Sequence, residues 1–353
     1  MLRLSLLVLA AGFILRAGAV QAAPAPVPDI FTVAGIKVDA TAESATAARD
    51  LAMAEGRPLA WTKIYRRVTA TANWGKQPKL DDNAMLRMVR SFEVSNERRS
   101  TTRYLAEVTY RFNAAAVRAL LRQSGIAYTE TRARPSLVIP IVAGTAGVDP
   151  MSAWAMAWKD PALQQGLVPF VLPAADAQDM EILSRPDLAQ ADWASLAPLA
   201  RRYNATEAII AIASEDAKTV QMVEISATAR IAASFAYANS TFAADAEVVA
   251  ERAYETWKTR SAVNFATRGQ LTADVQFETL DDWAKIRKQL GAVKAVADMD
   301  VTGLALHEAE IQLVYFGRPE QLRDALAQQN LLLANAGGQF TLQLAGRSAA
   351  NAP

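Results

Sequence analysis

Hydrophobic and polar positions along the chain change period twice, and the changes divide it into three blocks. In the first, residues 29–133, a loosely alternating run over 31–39 predicts a strand. Residues 41–68 predict a long helix, because Ala48, Leu51, Ala52, Leu59, Ala60, Ile64 and Val68 recur at three- and four-residue spacing. Pro58 inside that run predicts a kink or a split near Gly56. A polar loop is expected over 73–82, followed by strands at 90–95 and 102–112 flanking a turn at 96–100. In the second of these strands Tyr104, Ala106, Val108 and Tyr110 share one face, and Leu105, Glu107, Thr109 and Arg111 the other. Asn113 is placed to cap a helix to Gln123 that Ser124-Gly125 ends, with a last strand at 126–131. This order predicts an α+β sandwich.

The second block, 135–268, has a different texture. Leu137-Val138-Ile139-Pro140-Ile141-Val142 and Ala208-Ile209-Ile210-Ala211-Ile212-Ala213 are continuous apolar runs, the mark of strands buried on both faces. A third such strand is expected at 167–172. Helices are expected at 152–164, carrying Trp154 and Trp158, and from Asp192 to Tyr203. Alternation of strand and helix implies parallel crossovers, hence an α/β unit with a largely parallel sheet. Residues 219–231 and 233–242 suit antiparallel edge strands, and 243–259 a closing helix. The third block, 270–346, reads as strand, helix, two strands, helix and a last strand at 340–344. That βαββαβ order is ferredoxin-like. The tail 347–353 is small, polar and expected to be disordered.

The first 22 residues follow another rule. Arg3 precedes an apolar stretch over 4–15, and Val20-Gln21-Ala22 fits the small-x-small cleavage pattern, so a secretory signal peptide cut after Ala22 is expected. The stretch is shorter than the roughly 20 apolar residues of a membrane-spanning helix. No anchor is therefore expected after cleavage, and a periplasmic or secreted location is. Pro24, Pro26 and Pro28 keep the new N-terminus extended.

Composition narrows the chemistry. The 353 residues contain no Cys and one His, which excludes thiolate nucleophiles, zinc ribbons, iron–sulfur clusters and two-histidine metal sites. Charge is +1, with 37 basic groups; losing Arg3 and Arg16 leaves 35 against 36 acidic, a net −1. Neither value supplies a nucleic-acid footprint. Gly144-Thr145-Ala146-Gly147 follows a buried strand, where α/β folds hold ligands, but no phosphate-loop Lys-Ser/Thr follows and no G-x-G-x-x-G occurs. His307 is expected in an exposed turn. Of the acidic pairs Asp81-Asp82, Glu215-Asp216 and Asp281-Asp282, the last is expected to serve a helix start. Basic clusters occur at Arg66-Arg67, Arg98-Arg99 with Arg103, Arg132 with Arg134, and Arg201-Arg202. Trp154 and Trp158 read as core rather than a binding platform. Sequons stand at Asn204 and Asn239.

The chain resembles the secreted bacterial family known as domain of unknown function 2066. The likeness rests on the leader, the helix ending in Leu59-Ala60-Trp61-Thr62-Lys63-Ile64-Tyr65-Arg66-Arg67-Val68-Thr69, the Leu137-Val138-Ile139-Pro140 strand, and Tyr315-Phe316-Gly317 before a helix. Through Arg201 to Ile210, a helix end followed by a small turn and a buried strand, the middle block is similar to the N-terminal domain of the Tol translocation protein. It is similar in the same way to curli and flagellar envelope accessory proteins. The resemblance implies an exported envelope protein and assigns no functional residue. The leading expectation is a non-enzymatic binding protein whose partner is an envelope protein or cell-wall component, with no cofactor, no metal and no nucleic acid. The alternatives are a carboxylate-dependent glycan hydrolase and a small-molecule-binding module at the Gly144 loop.

Overall fold

The computed structural model describes residues 29–145, 147–214, 219–236 and 241–345. The expected leader, the tail, Ala146, the Glu215-Asp216 pair and Asn239 lie outside the described residues. The protein is a mixed α/β structure built on three sheets.

The first sheet places β1 (Thr32–Thr41), β2 (Val89–Arg99) and β3 (Arg103–Phe112) in the order β1-β3-β2, all antiparallel. The alternation in β3 does what its period demands: Tyr104, Ala106, Val108, Tyr110 and Phe112 are buried beneath α1 (Ala45–Val68). Helix α1 is not split at Pro58; it runs unbroken for 24 residues. An interior proline forfeits an amide hydrogen bond and costs about 3 kcal/mol. Packing offsets that cost, because Ala48, Ala52, Gly56 and Ala60 let the helix lie close on the sheet. A Cβ at Gly56 would stand 2.4 Å from the Tyr110 hydroxyl and 2.8 Å from Val38.

Two local expectations for this unit are corrected. The turn expected at 96–100 is strand as far as Arg99, because Asn96 takes a left-handed φ of 52° and makes a bulge between Ser95 and Arg98 instead of a strand end. The run 126–131 makes a single bridge, Tyr128 with Val263, rather than a strand. The short α2 (Asp82–Met88), capped by Asp81, was not expected, and α3 (Ala114–Gln123) is capped by Asn113 as its sequence requires.

The middle sheet comprises β4 (Ser136–Val142), β5 (Phe170–Val171), β6 (Glu207–Ser214), β7 (Thr219–Ser226) and β8 (Arg230–Ala236) in the order β5-β4-β6-β7-β8. β4 is parallel to β5 and β6, and β7 and β8 add antiparallel at the edge. The apolar runs of β4 and β6 are buried on both faces. Val138, Ile209 and Ala211 pack under α4 (Ala153–Ala157) and α7 (Phe242–Ser261). Leu137, Ile139 and Ile210 pack under α6 (Trp193–Arg202) and the preceding α5 (Ala177–Leu183). The helix expected over 152–164 is divided, because Asp160 caps a separate 3₁₀ turn that opens on Pro161.

The third sheet joins β9 (Arg268–Gln276), β10 (Val296–Leu304), β11 (Glu308–Phe316), β12 (Leu331–Ala336) and β13 (Gln339–Leu344) in the order β10-β11-β9-β13-β12. Helices α8 (Leu280–Ala292) and α9 (Pro319–Gln328) complete it. The ferredoxin-like order is present with one strand added. β12 and β13 form a hairpin, and β13 inserts parallel beside β9. Gly337 and Gly338, at φ 62° and 93°, supply the tight turn that Cβ-bearing residues resist.

The closeness of α1 to β3 yields a stability test. Gly56→Ala is expected to lower unfolding free energy by about 1–3 kcal/mol, the cost of overpacking a filled core. Urea denaturation followed by tryptophan fluorescence checks this, and an unchanged midpoint would show that Tyr110 can move aside freely.

Candidate functional site

A helix end leaves its last carbonyls without intrahelical partners. At the end of α1 these groups are met from elsewhere. The Tyr65 carbonyl accepts from the Thr69 amide at 3.0 Å and the Thr69 hydroxyl at 2.6 Å, and the Val68 carbonyl accepts from the Thr129 amide at 2.9 Å. The Arg66 carbonyl accepts from Lys258 Nζ at 3.0 Å, a bond that reaches from α7 in the middle unit. A cation at a helix C-terminus also opposes the negative end of its dipole.

Lys258 is only 1% exposed. A buried ammonium must be paired, and Glu251 and Glu255 each stand 3.3 Å from it. Glu255 also accepts from the Thr71 amide at 2.9 and 3.1 Å, which fastens the chain leaving α1 to α7. Trp74 completes the junction. Its ring lies 5.3 Å from Lys258 Nζ and 4.8 Å from the Arg66 guanidinium, and its Nε1 donates to the Thr69 carbonyl at 3.2 Å.

Beside this junction is a cleft of about 410 Å³ lined by Lys63, Arg66, Arg67, Trp74, Tyr254 and Lys258 among others. Arg67 donates from Nη1 to the Ile30 and Thr32 carbonyls at 2.6 and 2.7 Å. Its Nε and Nη2 have no hydrogen-bond partner among the described residues. Burial, together with the charge of Arg132, brings its pKa down to about 10, so it stays cationic at neutral pH. Among the described residues Lys63 forms no ion pair, and Arg66 stacks on Trp74 without a carboxylate. Tyr254 donates its hydroxyl to the Leu163 carbonyl, and burial pushes its phenol further up, so it is neutral. The cleft thus offers unused guanidinium and ammonium donors against aromatic walls. That arrangement accepts an anion.

The positions singled out by sequence are dispersed. His307 is exposed in the β10–β11 turn, with Nδ1 3.1 Å from the Glu278 carbonyl. Asp81 caps α2, and Asp282 completes a capping box with Thr279 at α8. Trp154 and Trp158 are buried with ring centroids 5.7 Å apart in an edge contact, and Trp154 Nε1 donates to the Ala211 carbonyl. Arg98 and Arg99 are exposed beside the hairpin tip, and Arg103 pairs with Asp39 at 2.7 Å. Arg202 pairs with Asp176 and the buried Asp179, and Arg134 with Asn330. Only the Arg66-Arg67 cluster enters the cleft. The carboxyl ends of β4 and β5 open on a separate recess of about 340 Å³, lined by Pro140, Val148, Pro150, Met151, Leu172 and Lys159 among others, without Gly144. Among the described residues no three His, Asp or Glu side chains gather in a metal-holding group.

Sequence reasoning missed Lys63, Trp74, Tyr254 and Lys258. One signal was available: Lys258 follows Trp257 on the stripe of α7 that carries Ala246, Val249, Ala250 and Ala253, where a charged side chain demands a partner.

A carboxylate pair also emerges that no motif marked. Glu207 on β6 and Glu224 on β7 are 8% and 6% exposed on the sheet face covered by α7. Glu207 binds the Ser136 hydroxyl and lies 3.6 Å from Arg260. Among the described residues Glu224 Oε2 has no hydrogen-bond partner. Burial, then the charge of Glu207, pushes the Glu224 pKa up to about 7, against weaker pulls from Arg260 and Arg252.

Comparison with protein-family profiles, with curated proteins and with solved structures finds no match to this chain, so the functional reading rests on its own residues.

The Glu224 shift has a definite sign. Its carboxyl binds a proton more tightly in the folded chain than at its ordinary pKa of 4.5, so folding is favoured by this group at low pH. That contribution is lost as pH rises from 4.5 to about 7, by up to about 3 kcal/mol. Denaturation midpoints measured across this range are expected to fall in the native chain. Glu224→Gln is expected to flatten that fall and to be the more stable protein at pH 8.

Proposed function

We propose that this chain is an exported protein of the cell envelope that works by binding, and that its partner presents an anion to the cleft between the first two units. The observation that carries this reading is the surplus of positive charge on the cleft wall. Lys63, Arg66 and the free edge of Arg67 face it, while the acids Glu251 and Glu255 are already engaged by Lys258. Like charges crowded at a partly buried surface repel, and Arg132 adds to the repulsion on Arg67. An entering carboxylate or phosphate relieves that repulsion and takes charge-assisted hydrogen bonds. The patterned leader over 1–22 and the prolines after it support export.

The cleft supports binding over covalent chemistry. Its one hydroxyl-bearing wall residue, Tyr254, already donates to a carbonyl and is held neutral. A glycan hydrolase needs two carboxylates facing across an open cleft. Glu207 and Glu224 are instead enclosed under α7, and neither lines the cationic cleft.

Binding of small anions tests the reading. The purified chain is expected to melt at higher temperature in millimolar phosphate or citrate than in chloride of equal ionic strength. The double variant Lys63→Glu with Arg66→Glu is expected to lose that gain and to melt a few degrees below the native chain in chloride, because it removes the Arg66–Trp74 stack and puts an acid in the last turn of α1. Fractionated cells of the source organism are expected to hold the protein outside the cytoplasm. Equal melting in all three salts, or a cytoplasmic protein, overturns the reading.

A further inference from the structure

The cleft does not end at Tyr254. A second open recess of about 540 Å³ shares Ala162, Glu251 and Tyr254 with it and continues along α7 past Ala250, Val248, Glu247 and Ala244. Together the two form a groove along α7 that Tyr254 crosses to reach the Leu163 carbonyl, with the 3₁₀ turn Pro161–Gln165 on its other side. Its ends carry opposite charge. At one lie Lys63, Arg66 and Arg67; at the other lies Glu247, while Glu251 stands between them, paired with Lys258.

The floor between the ends is apolar. Val248 is 44% exposed, a branched side chain left in water among Ala244, Ala250 and Leu163. Gln165 lines the cationic half, and its side chain makes no hydrogen bond to any described residue, which leaves a free amide donor and acceptor. Gly166 is required here, because a Cβ would fall 2.2 Å from the Tyr254 ring that packs against it.

Length defines what fits. Glu247 and Lys258 are eleven residues apart on α7, a rise of about 16 Å. An extended peptide advances about 3.3 Å per residue, so about five residues span it.

We propose that the groove takes the free C-terminus of an extended peptide, with its carboxylate against Arg66 and Arg67 and a basic residue about four positions upstream beside Glu247. This rests on the anion-binding reading and names the partner for the same site. Charge complementarity at both ends fixes the direction in which the peptide lies, and small apolar residues between them cover Val248.

Fluorescence anisotropy with labelled pentapeptides tests it. The probe KAVAV with a free carboxylate is expected to bind, and its C-terminal amide to bind at least about tenfold more weakly. Replacing the leading lysine with glutamate is expected to cost about three- to tenfold against the native chain. The variant Glu247→Lys is expected to reverse that preference, and the double variant Lys63→Glu with Arg66→Glu to abolish discrimination between acid and amide. If KAVAV and its amide bind equally, or if Glu247→Lys leaves the lysine–glutamate preference unchanged, the peptide proposal falls. Phosphate or citrate stabilisation that survives in that case shows that the anion site stands and only its peptide occupant is wrong. Loss of both overturns the two together.

Discussion

One buried amine governs how the first two units meet. Lys258 sits where the C-terminus of α1 points at α7, and it is almost sealed from solvent. Desolvating an ammonium is costly, and it is offset here by a helix carbonyl, two carboxylates and the face of Trp74. Two of those partners are held by another contact in turn. Glu255 accepts from Thr71 and Trp74 donates to Thr69, so the strand of chain leaving α1 is fixed by the same residue that α7 depends on. The continuation of α7 extends the coupling to the third unit. Tyr128 exchanges hydrogen bonds with Val263, and the Gln321 side chain donates to Ala262. Phe265 then packs between Tyr128 and Phe316, with ring centroids 4.9 and 5.1 Å away.

Because Lys258 consumes the nearby carboxylates, the remaining cations on the cleft wall have none among the described residues. This links packing to function. Here Trp74 is flanked by two cations, and Arg67 is tied by one nitrogen to backbone carbonyls, which fixes its position without neutralising it. The wall is therefore preorganised: little side-chain freedom is left to lose at Arg67 when an anion arrives.

What the sequence revealed divides along physical lines. Strands β3, β4 and β6 and helix α7 were legible because burial imposes a period or a continuous apolar run. The Asn96 bulge was not, since a left-handed asparagine serves equally well in a turn. The short β12 escaped because six residues with only Leu331 and Leu333 buried carry little pattern. Helix α1 was expected to kink or split near Gly56 and instead runs unbroken, because local propensity lost to the close packing of Gly56 on Tyr110. At the site, Arg66-Arg67 stood out as a basic cluster. Its partner Lys258 is 192 residues away, a pairing that only the tertiary fold creates.

The availability of free donors decides why the junction rather than the strand ends carries the cleft chemistry. α/β units hold ligands at the carboxyl ends of parallel strands because loop amides there are free to donate. In this chain the loop after β5 has used them. The Ala174 amide donates to the Tyr203 hydroxyl at 2.7 Å, and the Ala175 amide to Asp179 at 3.0 Å. Asp179 is fully buried and is further held by Arg202 and Tyr203, so this network locks α5 to α6. The recess that remains is walled by proline, valine, methionine and leucine, with Lys159 its one charged lining residue. Unused donors gather at the α1–α7 junction instead. There the ligand-binding capacity comes from long cationic side chains brought together by two helices, and not from a loop at the head of a sheet.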